Sequence, residues 1–403
     1  MNICIVSLYS FLLGDYNDDG RASKLISAFG SNHSITMLTS NFNHRSKEYY
    51  VNPPKYIKDV EYEYIPVGQY KKNLSIRRIV SHLQFAFGVK SYLKKTERKY
   101  DLIYCFVPSS AAVVAISDYA HRNNAKMVVD VLDIWPDSLL PIMKYKKLIK
   151  LLLYPWFCLS KKSYKLADYI SAESVQYAKI AHAANPTVPW SYTYLGIDVD
   201  RIEQLINESN VKVDREPGQI ILCYGGNLGN SYDFDSIIKA LILLKNKNVN
   251  YKMYFVGGGD KQSYITEQIQ ENKLNAIVTG KVVYSDYLKY LSLCDIAFNS
   301  FLPNTKVVHS YKFNDYCATG LFVINSLSGE TEDVIKRYKN GLSYKENELP
   351  EVLLEVCENW DTKYKLWKKH NYDCVKDLLD SKAIYKRLVQ DINIRLFNNE
   401  VPL

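Results

Sequence analysis

The feature that most constrains this chain is an alternation, kept up along its whole length, of short apolar runs with longer segments of helical period. Runs at 3–8, 34–39, 102–106, 126–131 and 169–172 alternate with helical patterns at 22–29, 77–95 and 110–122. Apolar runs without polar alternation are buried on both faces, as happens to parallel strands covered by crossover helices. The polar stretch 213–219, which contains Pro217-Gly218, interrupts the series and reads as a linker. A second series follows, with apolar runs at 220–224, 251–256, 276–279, 296–299 and 321–325, a helix at 234–245, and helical pattern after Leu349.

The expected fold is therefore α/β, with two Rossmann-like, doubly wound domains. We place the first at 1–212, the linker at 213–219, the second at 220–375, and a helical tail at 376–403 that can cross back to the first domain. Two such domains in tandem put their carboxyl-end crevices face to face around a central cleft. A length of 403 residues agrees, being too great for one ordinary core.

Composition removes several function classes. With 47% hydrophobic and 23% charged residues, 17 Gly and 13 Pro, the chain is neither collagen-like nor disordered. A net charge of +8 suits anionic partners, but the basic stretches carry no stacking module for RNA, so no nucleic acid is expected. Eight scattered cysteines without a C-x-x-C pair signal neither zinc nor disulfides, which suits a reducing cytoplasm. The N-terminus reads as a first buried strand and not as a signal peptide, and no apolar stretch reaches spanning length.

Two glycine-rich segments follow predicted strands: Gly225-Gly226-Asn227-Leu228-Gly229 and Gly257-Gly258-Gly259. Backbone N–H groups and a helix N-terminus in such positions can hold a diphosphate. The spacing is not G-x-G-x-x-G, so no dinucleotide fingerprint is present. Further on, Ser310-Tyr311-Lys312-Phe313-Asn314-Asp315-Tyr316 opens a predicted helix with an ammonium group and places a carboxylate one turn later. That pairing offers charge to phosphate and an acceptor to sugar hydroxyls; the same spacing also serves a plain surface pair.

At this segment the chain resembles the retaining glycosyltransferases of family 4, of GT-B architecture. In the subgroup that makes bacterial capsule, O-antigen and exopolysaccharide, the segment reads roughly P-S-K-x-x-E-Y-x-A-x-G. The order of Tyr224 to Gly229, Val256 to Gly259, Gly280-Lys281-Val282 and Asn340-Gly341-Leu342 is similar to the family's nucleotide-binding domain. In the first half, Leu132-Asp133-Ile134-Trp135-Pro136-Asp137-Ser138 resembles D-x-W-P-E/D-S, and Gly20-Arg21 resembles the family's glycine loop.

The resemblance implies a hexosyltransferase that moves a sugar from a nucleotide diphosphate sugar to a glycan acceptor with retention. Its donor-binding residues would be Gly20, Arg21, Gly226, Asn227, Gly229, Gly257, Gly258, Val282, Lys312, Asp315 and Tyr316. Lys312 would stabilise the leaving diphosphate, assisted by Arg21, and Asp315 would bind ribose. Asp133 or Asp137 would orient the acceptor. The family's first acid is replaced by Val307, and the loop 225–235 lacks the family's basic residues. No Asp-x-Asp stands at a predicted cleft position, so no metal and no cofactor are expected.

Lys71, Lys72, Arg77, Arg78, Lys90, Lys94 and Lys95 flank Ile79, Leu83, Phe85, Phe87 and Leu93; Lys144, Lys146, Lys147, Lys150, Lys161 and Lys162 flank 151–159 with Trp156 and Phe157. Such stretches suit either solvated helices or an anionic membrane surface, and a lipid diphosphate-linked acceptor would explain the latter. The expected place is the cytoplasm, peripheral to the inner face of the cell membrane. Two other readings share the architecture: a nucleotide-sugar 2-epimerase, and a non-catalytic nucleotide-sugar-binding partner of another transferase.

Overall fold

Six consecutive buried residues make Leu102–Val107 an interior strand, and the same holds for Ile220–Gly225. These two strands anchor two separate parallel sheets. The computed structural model describes residues 1–403 apart from 10–19, 45, 51–59, 74, 139–144, 304, 306, 365–366 and 399–403. Two units emerge, Met1–Leu195 with Lys382–Leu403, and Gly196–Ser381.

Unit 1 contains β1 (Asn2–Ser7), β2 (Ser34–Ser40), a short hairpin of β3 (Phe42–Asn43) and β4 (Glu48–Tyr49), then β5 (Val60–Ile65), β6 (Leu102–Val107), β7 (Lys126–Val131) and β8 (Tyr169–Ala172). Its helices are α1 (Arg21–Phe29), α2 (Ile76–Lys95), α3 (Ser110–Arg122), α4 (Lys146–Leu152), α5 (Tyr154–Lys165) and α6 (Val175–His182). The sheet runs β5-β2-β1-β6-β7-β8, with every pairing parallel. On one face Phe85 and Val89 of α2 and Val113 and Ile116 of α3 join the core. The other face is covered by Leu25 and Phe29 of α1 and by Ile384, Tyr385, Leu388 and Ile392 near the carboxyl end of the chain.

Unit 2 starts with α7 (Val199–Glu208) and continues with β9 (Ile220–Gly225), α8 (Phe234–Asn246), β10 (Tyr251–Val256), α9 (Gln262–Glu271), β11 (Ala276–Gly280), α10 (Tyr284–Ser292) and β12 (Ile296–Asn299). Then come α11 (Tyr311–Ala318), β13 (Phe322–Asn325), α12 (Glu330–Tyr338), β14 (Gly341–Ser343), α13 (Leu349–Glu358), α14 (Trp360–Lys363) and α15 (Trp367–Cys374); after a short π-helical turn α16 (Ser381–Phe397) follows, which belongs to unit 1 from Lys382 onward. Here the order is β11-β10-β9-β12-β13-β14, again all parallel. Local chemistry explains the elements. In α8 the Asp233 carboxylate caps the first turn by accepting from Ser236 N at 3.0 Å, and Phe234, Ile237, Ile238, Leu241 and Leu244 form the buried stripe.

Both sheets reverse their strand order beside the first strand, between β1 and β6 and between β9 and β12. Crevices at the carboxyl ends of strands flanking such a reversal are where parallel sheets bind ligands. The fold puts Tyr9 and Asp133 to Trp135 near that place in unit 1, and 225–229 near it in unit 2. The Pro217-Gly218 turn lies within unit 2, where Arg215 pairs with Asp295 at 3.0 Å.

Candidate functional site

In unit 2 the two glycine segments interlock. Gly226 N donates to Val256 O at 2.8 Å and Leu228 N to Gly258 O at 3.1 Å. A Cβ on Gly257, whose φ is 144°, would stand 2.0 Å from Gly226 O, so only glycine allows this approach. The interlock consumes two of the amides that the sequence offered to a diphosphate. Gly225 N is also committed, donating to Tyr316 Oη at 3.0 Å. Asn227 and Gly229 keep amides without a hydrogen-bond acceptor among the described residues.

Lys312, in the first turn of α11, reaches this turn from the neighbouring strand connection. Its Cε stands 2.9 Å and its Nζ 3.4 Å from where a Gly226 Cβ would be. The ammonium donates to Tyr224 Oη and lies 4.0 Å from the centroid of the Tyr224 ring, 3.5 Å from that of Tyr232 and 5.9 Å from that of Phe301. No carboxylate pairs with it among the described residues. Burial without a counter-charge lowers its pKa from the usual lysine range to about 6. Chemically, this is an amine that an arriving anion would draw into its charged form.

Asp315 lies one turn further along α11 and is half-buried. Tyr284 Oη donates to its Oδ1 at 3.1 Å and Tyr287 Oη to its Oδ2 at 3.3 Å. Val282 sits in the connection before α10, which carries both tyrosines, so Val282 and Asp315 border one region. Gly258 adjoins Lys281 in the same connection: a Cβ there would be 2.9 Å from Lys281 Cγ. The structure thus gathers Gly226, Gly257, Gly258, Lys312 and Asp315 around the carboxyl ends of β9, β10 and β11.

Other expected residues act differently. Tyr316 is fully buried and holds β9 to α11, donating to Gly225 O at 3.2 Å and Phe298 O at 3.3 Å. It is a positioning residue with no surface to offer a ligand. The helix expected to point its N-terminus at the diphosphate begins at Phe234, well beyond Gly229, and is already capped by its own Asp233. Asn340 is buried against Asn371 at 3.0 Å, and a Cβ on Gly341 would meet Val323 O at 2.1 Å; that pair shapes the sheet. Val307 lies in the connection between β12 and α11.

Unit 1 corrects the reading of Arg21. Gly20 is the N-cap of α1, and Arg21, the next residue, is only 5% exposed. Its guanidinium grips Asp130 through Nε at 2.8 Å and Nη2 at 3.0 Å, and also donates to Thr193 O and Tyr385 Oη. Tyr104 Oη donates a further hydrogen bond to Asp130 at 2.5 Å. With its donors spent inside unit 1, Arg21 is unsuited to neutralise a diphosphate.

Asp133 accepts from the Ser138 hydroxyl and the amides of Ile134 and Trp135, while burial raises its pKa. Desolvation likewise raises Asp137, against the opposing charges of Lys161 and Lys150. The basic stretches also sort differently from expectation. Arg78, Phe85, Trp156 and Phe157 are buried, whereas Ile76, Val80, Leu83 and Phe87 of α2 and Leu148, Leu151 and Leu152 of α4 are exposed. No helix among the described residues is long and apolar enough to cross a membrane. Pattern reasoning missed Tyr224, Tyr232, Phe301, Tyr284 and Tyr287; the only sequence signal was the abundance of tyrosine, 34 in all.

Comparison with known proteins adds to this geometry. Residues 206–372 match the family model described as Glycosyl transferases group 1. No curated protein sequence matches the chain significantly. Among solved structures, HepE of Anabaena in complex with UDP is similar, with 14% identity over 98% of this chain and 100% of that chain and a TM-score of 0.63. Sucrose-phosphate synthase from Thermosynechococcus elongatus gives 15% identity over 97% and 98%, with a TM-score of 0.60. WaaG, a glycosyltransferase involved in lipopolysaccharide biosynthesis, gives 15% over 98% and 100%, with a TM-score of 0.58. The fold is GT-B, and the stretch 206–372 is similar to a family of glycosyltransferases.

Proposed function

We propose that this chain is a retaining, metal-independent glycosyltransferase that takes a sugar from a nucleotide diphosphate donor and passes it to a lipid-linked glycan acceptor in bacterial surface polysaccharide synthesis. The observation that carries the donor side is the Lys312 side chain beside the Gly226 turn, with no carboxylate paired to it among the described residues. A diphosphate would supply the missing negative charge, and the unengaged amides of Asn227 and Gly229 would add donors to it. Lys312 then stabilises the leaving group as the glycosidic bond to the nucleotide breaks. That HepE was solved with UDP-glucose as well as UDP agrees with a nucleotide-sugar donor.

In this reading Asp315 takes the ribose hydroxyls, sharing its oxygens with Tyr284 and Tyr287. Asp133 or Asp137, both with a pKa raised by burial, orients the acceptor hydroxyl, as the family resemblance implies. Retention follows the family resemblance. A membrane-borne acceptor is supported by α4, which buries none of its residues and sets Leu148, Leu151 and Leu152 among Lys146, Lys147 and Lys150. Apolar side chains ringed by lysines bind an anionic interface.

A thermal-shift screen against UDP-, GDP-, dTDP- and ADP-sugars tests the donor side, and one class should raise Tm by several degrees. Product anomers assigned by NMR, with and without EDTA, test retention and metal independence. Conversion of the nucleotide sugar with no acceptor present would favour the epimerase instead. Sedimentation with anionic vesicles at low salt, reversed at high salt, is expected of the membrane face; binding indifferent to salt and lipid charge would remove it.

A further inference from the structure

We propose that unit 1 carries a second anion site, built from Lys47 and Arg78 and positioned by the hydroxyls of Tyr9 and Tyr70, that binds a phosphate oxyanion. The site stands on unit 1 alone; only its assignment to the acceptor rests on the reading above.

Arg78, in the first turn of α2, is 8% exposed. Its Nε donates to Tyr9 Oη at 3.0 Å and its Nη1 to Asn73 O at 3.1 Å. The guanidinium lies 5.5 Å from the Trp135 ring centroid and 5.7 Å from that of Tyr9. Lys47 joins the same group, its Nζ donating to Asn73 Oδ1 at 2.6 Å and standing 5.0 Å from the Tyr70 ring centroid. Tyr70 Oη donates to Tyr9 Oη at 3.2 Å, and His44 meets both Tyr70 Oη and Lys47 Nζ. Tyr9 Oη in turn meets His82 Nε2 at 2.8 Å.

Two cations therefore converge, and neither forms an ion pair with a carboxylate among the described residues. Asp133 is the acid whose charge faces Arg78, yet it takes its hydrogen bonds from Ser138 and the amides of Ile134 and Trp135. Arg21, in the same unit, shows what a buried arginine without a ligand requires: an acid in bidentate contact. Arg78 has no such partner. The surrounding groups are rich in donors and short of acceptors. Among the described residues the buried indole Nε1 of Trp135 has no acceptor, nor has that of Trp156, the two ring centroids lying 5.0 Å apart.

Placement supports a ligand. Tyr9 follows β1, His82 contacts the backbone at Pro108 directly after β6, and Trp135 follows β7. The group thus straddles the carboxyl ends of the two strands where the sheet order reverses. A tetrahedral oxyanion can accept from the guanidinium N–H groups that Tyr9 and Asn73 leave over and from the neighbouring ammonium. The phosphate could come from a soluble phosphorylated glycan or from a lipid headgroup, since the opposite side of α2 exposes Ile76, Val80, Leu83 and Phe87.

The test is calorimetric titration of the full chain with inorganic pyrophosphate, in the Lys312→Met background so that the unit 2 site is disabled. Saturable binding is expected there, weakened at least tenfold by Lys47→Gln and by Arg78→Gln. Lys47 is half-buried, so its variant should fold even if loss of Arg78 disturbs unit 1. Pyrophosphate binding absent from Lys312→Met, or unchanged by Lys47→Gln, overturns the site without touching the donor reading, which fails separately if Lys312→Met binds UDP normally. Glucose 1-phosphate and phosphatidylglycerol vesicles then identify the source: whichever loses affinity in Lys47→Gln carries the recognised phosphate.

Discussion

The two sheets share one strand order and differ in what they do with a basic residue near the reversal. In unit 1 the guanidinium of Arg21 meets Asp130, an acid planted inside β7 and fully buried, so the charge is consumed by the fold. In unit 2 the amine of Lys312 meets three aromatic rings and, among the described residues, no acid, so it is displaced toward neutrality and left for a ligand. A basic residue next to glycine after a strand is therefore not a phosphate binder by its sequence context. It becomes one when the opposing wall holds no carboxylate.

The largest effect expected from this contrast is on stability. Asp130→Asn strands Arg21 in a buried place and should cost about 3–5 kcal/mol, as removal of one partner of a buried ion pair does. Urea unfolding of unit 1 would show it, while UDP binding by unit 2 should persist. A variant as stable as the parent would mean that Arg21 is not held by Asp130.

Next comes Lys312→Met. Nucleotide affinity should fall at least 100-fold, equivalent to about 2.7 kcal/mol, while Tm holds or rises because a desolvated cation is removed. Calorimetric titration with UDP checks the first and differential scanning calorimetry the second. Loss of affinity together with a collapse of Tm would mean that Lys312 supports the fold and that the contrast between the units is false.

A smaller and more diagnostic effect concerns pH. Lys312 has its folded pKa lowered to about 6, below that of an unfolded lysine. Between those values the unfolded chain binds more protons, so this residue makes the ligand-free protein less stable as pH falls through that window. A diphosphate restores the charge, so donor binding takes up a proton. Affinity should drop by up to tenfold per pH unit above about pH 6, a step of ~1.4 kcal/mol. A nucleotide sugar is the proper probe, because its diphosphate does not itself titrate there. A flat profile, or one that persists in Lys312→Met, places the proton elsewhere.

Much of this architecture was legible because buried parallel strands leave unbroken apolar runs. Lys126–Val131, Tyr169–Ala172, Tyr251–Val256 and Ile296–Asn299 are found where the apolar pattern predicts them. Of the four edge strands, Tyr169–Ala172 and Ala276–Gly280 carry apolar runs that were read, whereas Val60–Ile65, whose run is broken by Glu61 and Glu63, and the three-residue Gly341–Ser343 were missed. The meeting of Lys312 with Gly226 followed from order along the chain. Its aromatic cage did not, because Tyr224, Tyr232 and Phe301 come together only through pairing of distant segments. Arg21 was misread although a clue was present: an Asp inside the apolar run of β7 must find a buried cation, and that cation was Arg21.

The smallest effect separates Asp315 from Lys312 inside unit 2. Lys312 answers the diphosphate, whereas Asp315, already accepting from Tyr284 and Tyr287, is assigned to ribose hydroxyls that must share or displace those bonds. Replacement of one accepting contact by another yields little net energy, so Asp315→Ala should weaken nucleotide-sugar binding only about 3- to 10-fold, near 1 kcal/mol. Asp315→Asn, which still accepts from one tyrosine, controls for the stranded hydroxyl of buried Tyr287. The decisive comparison uses a dideoxyribose nucleotide. If Asp315 reads ribose, removing both the carboxylate and the hydroxyls should cost no more than removing either one, and additive losses in that cycle would assign the ribose to another residue.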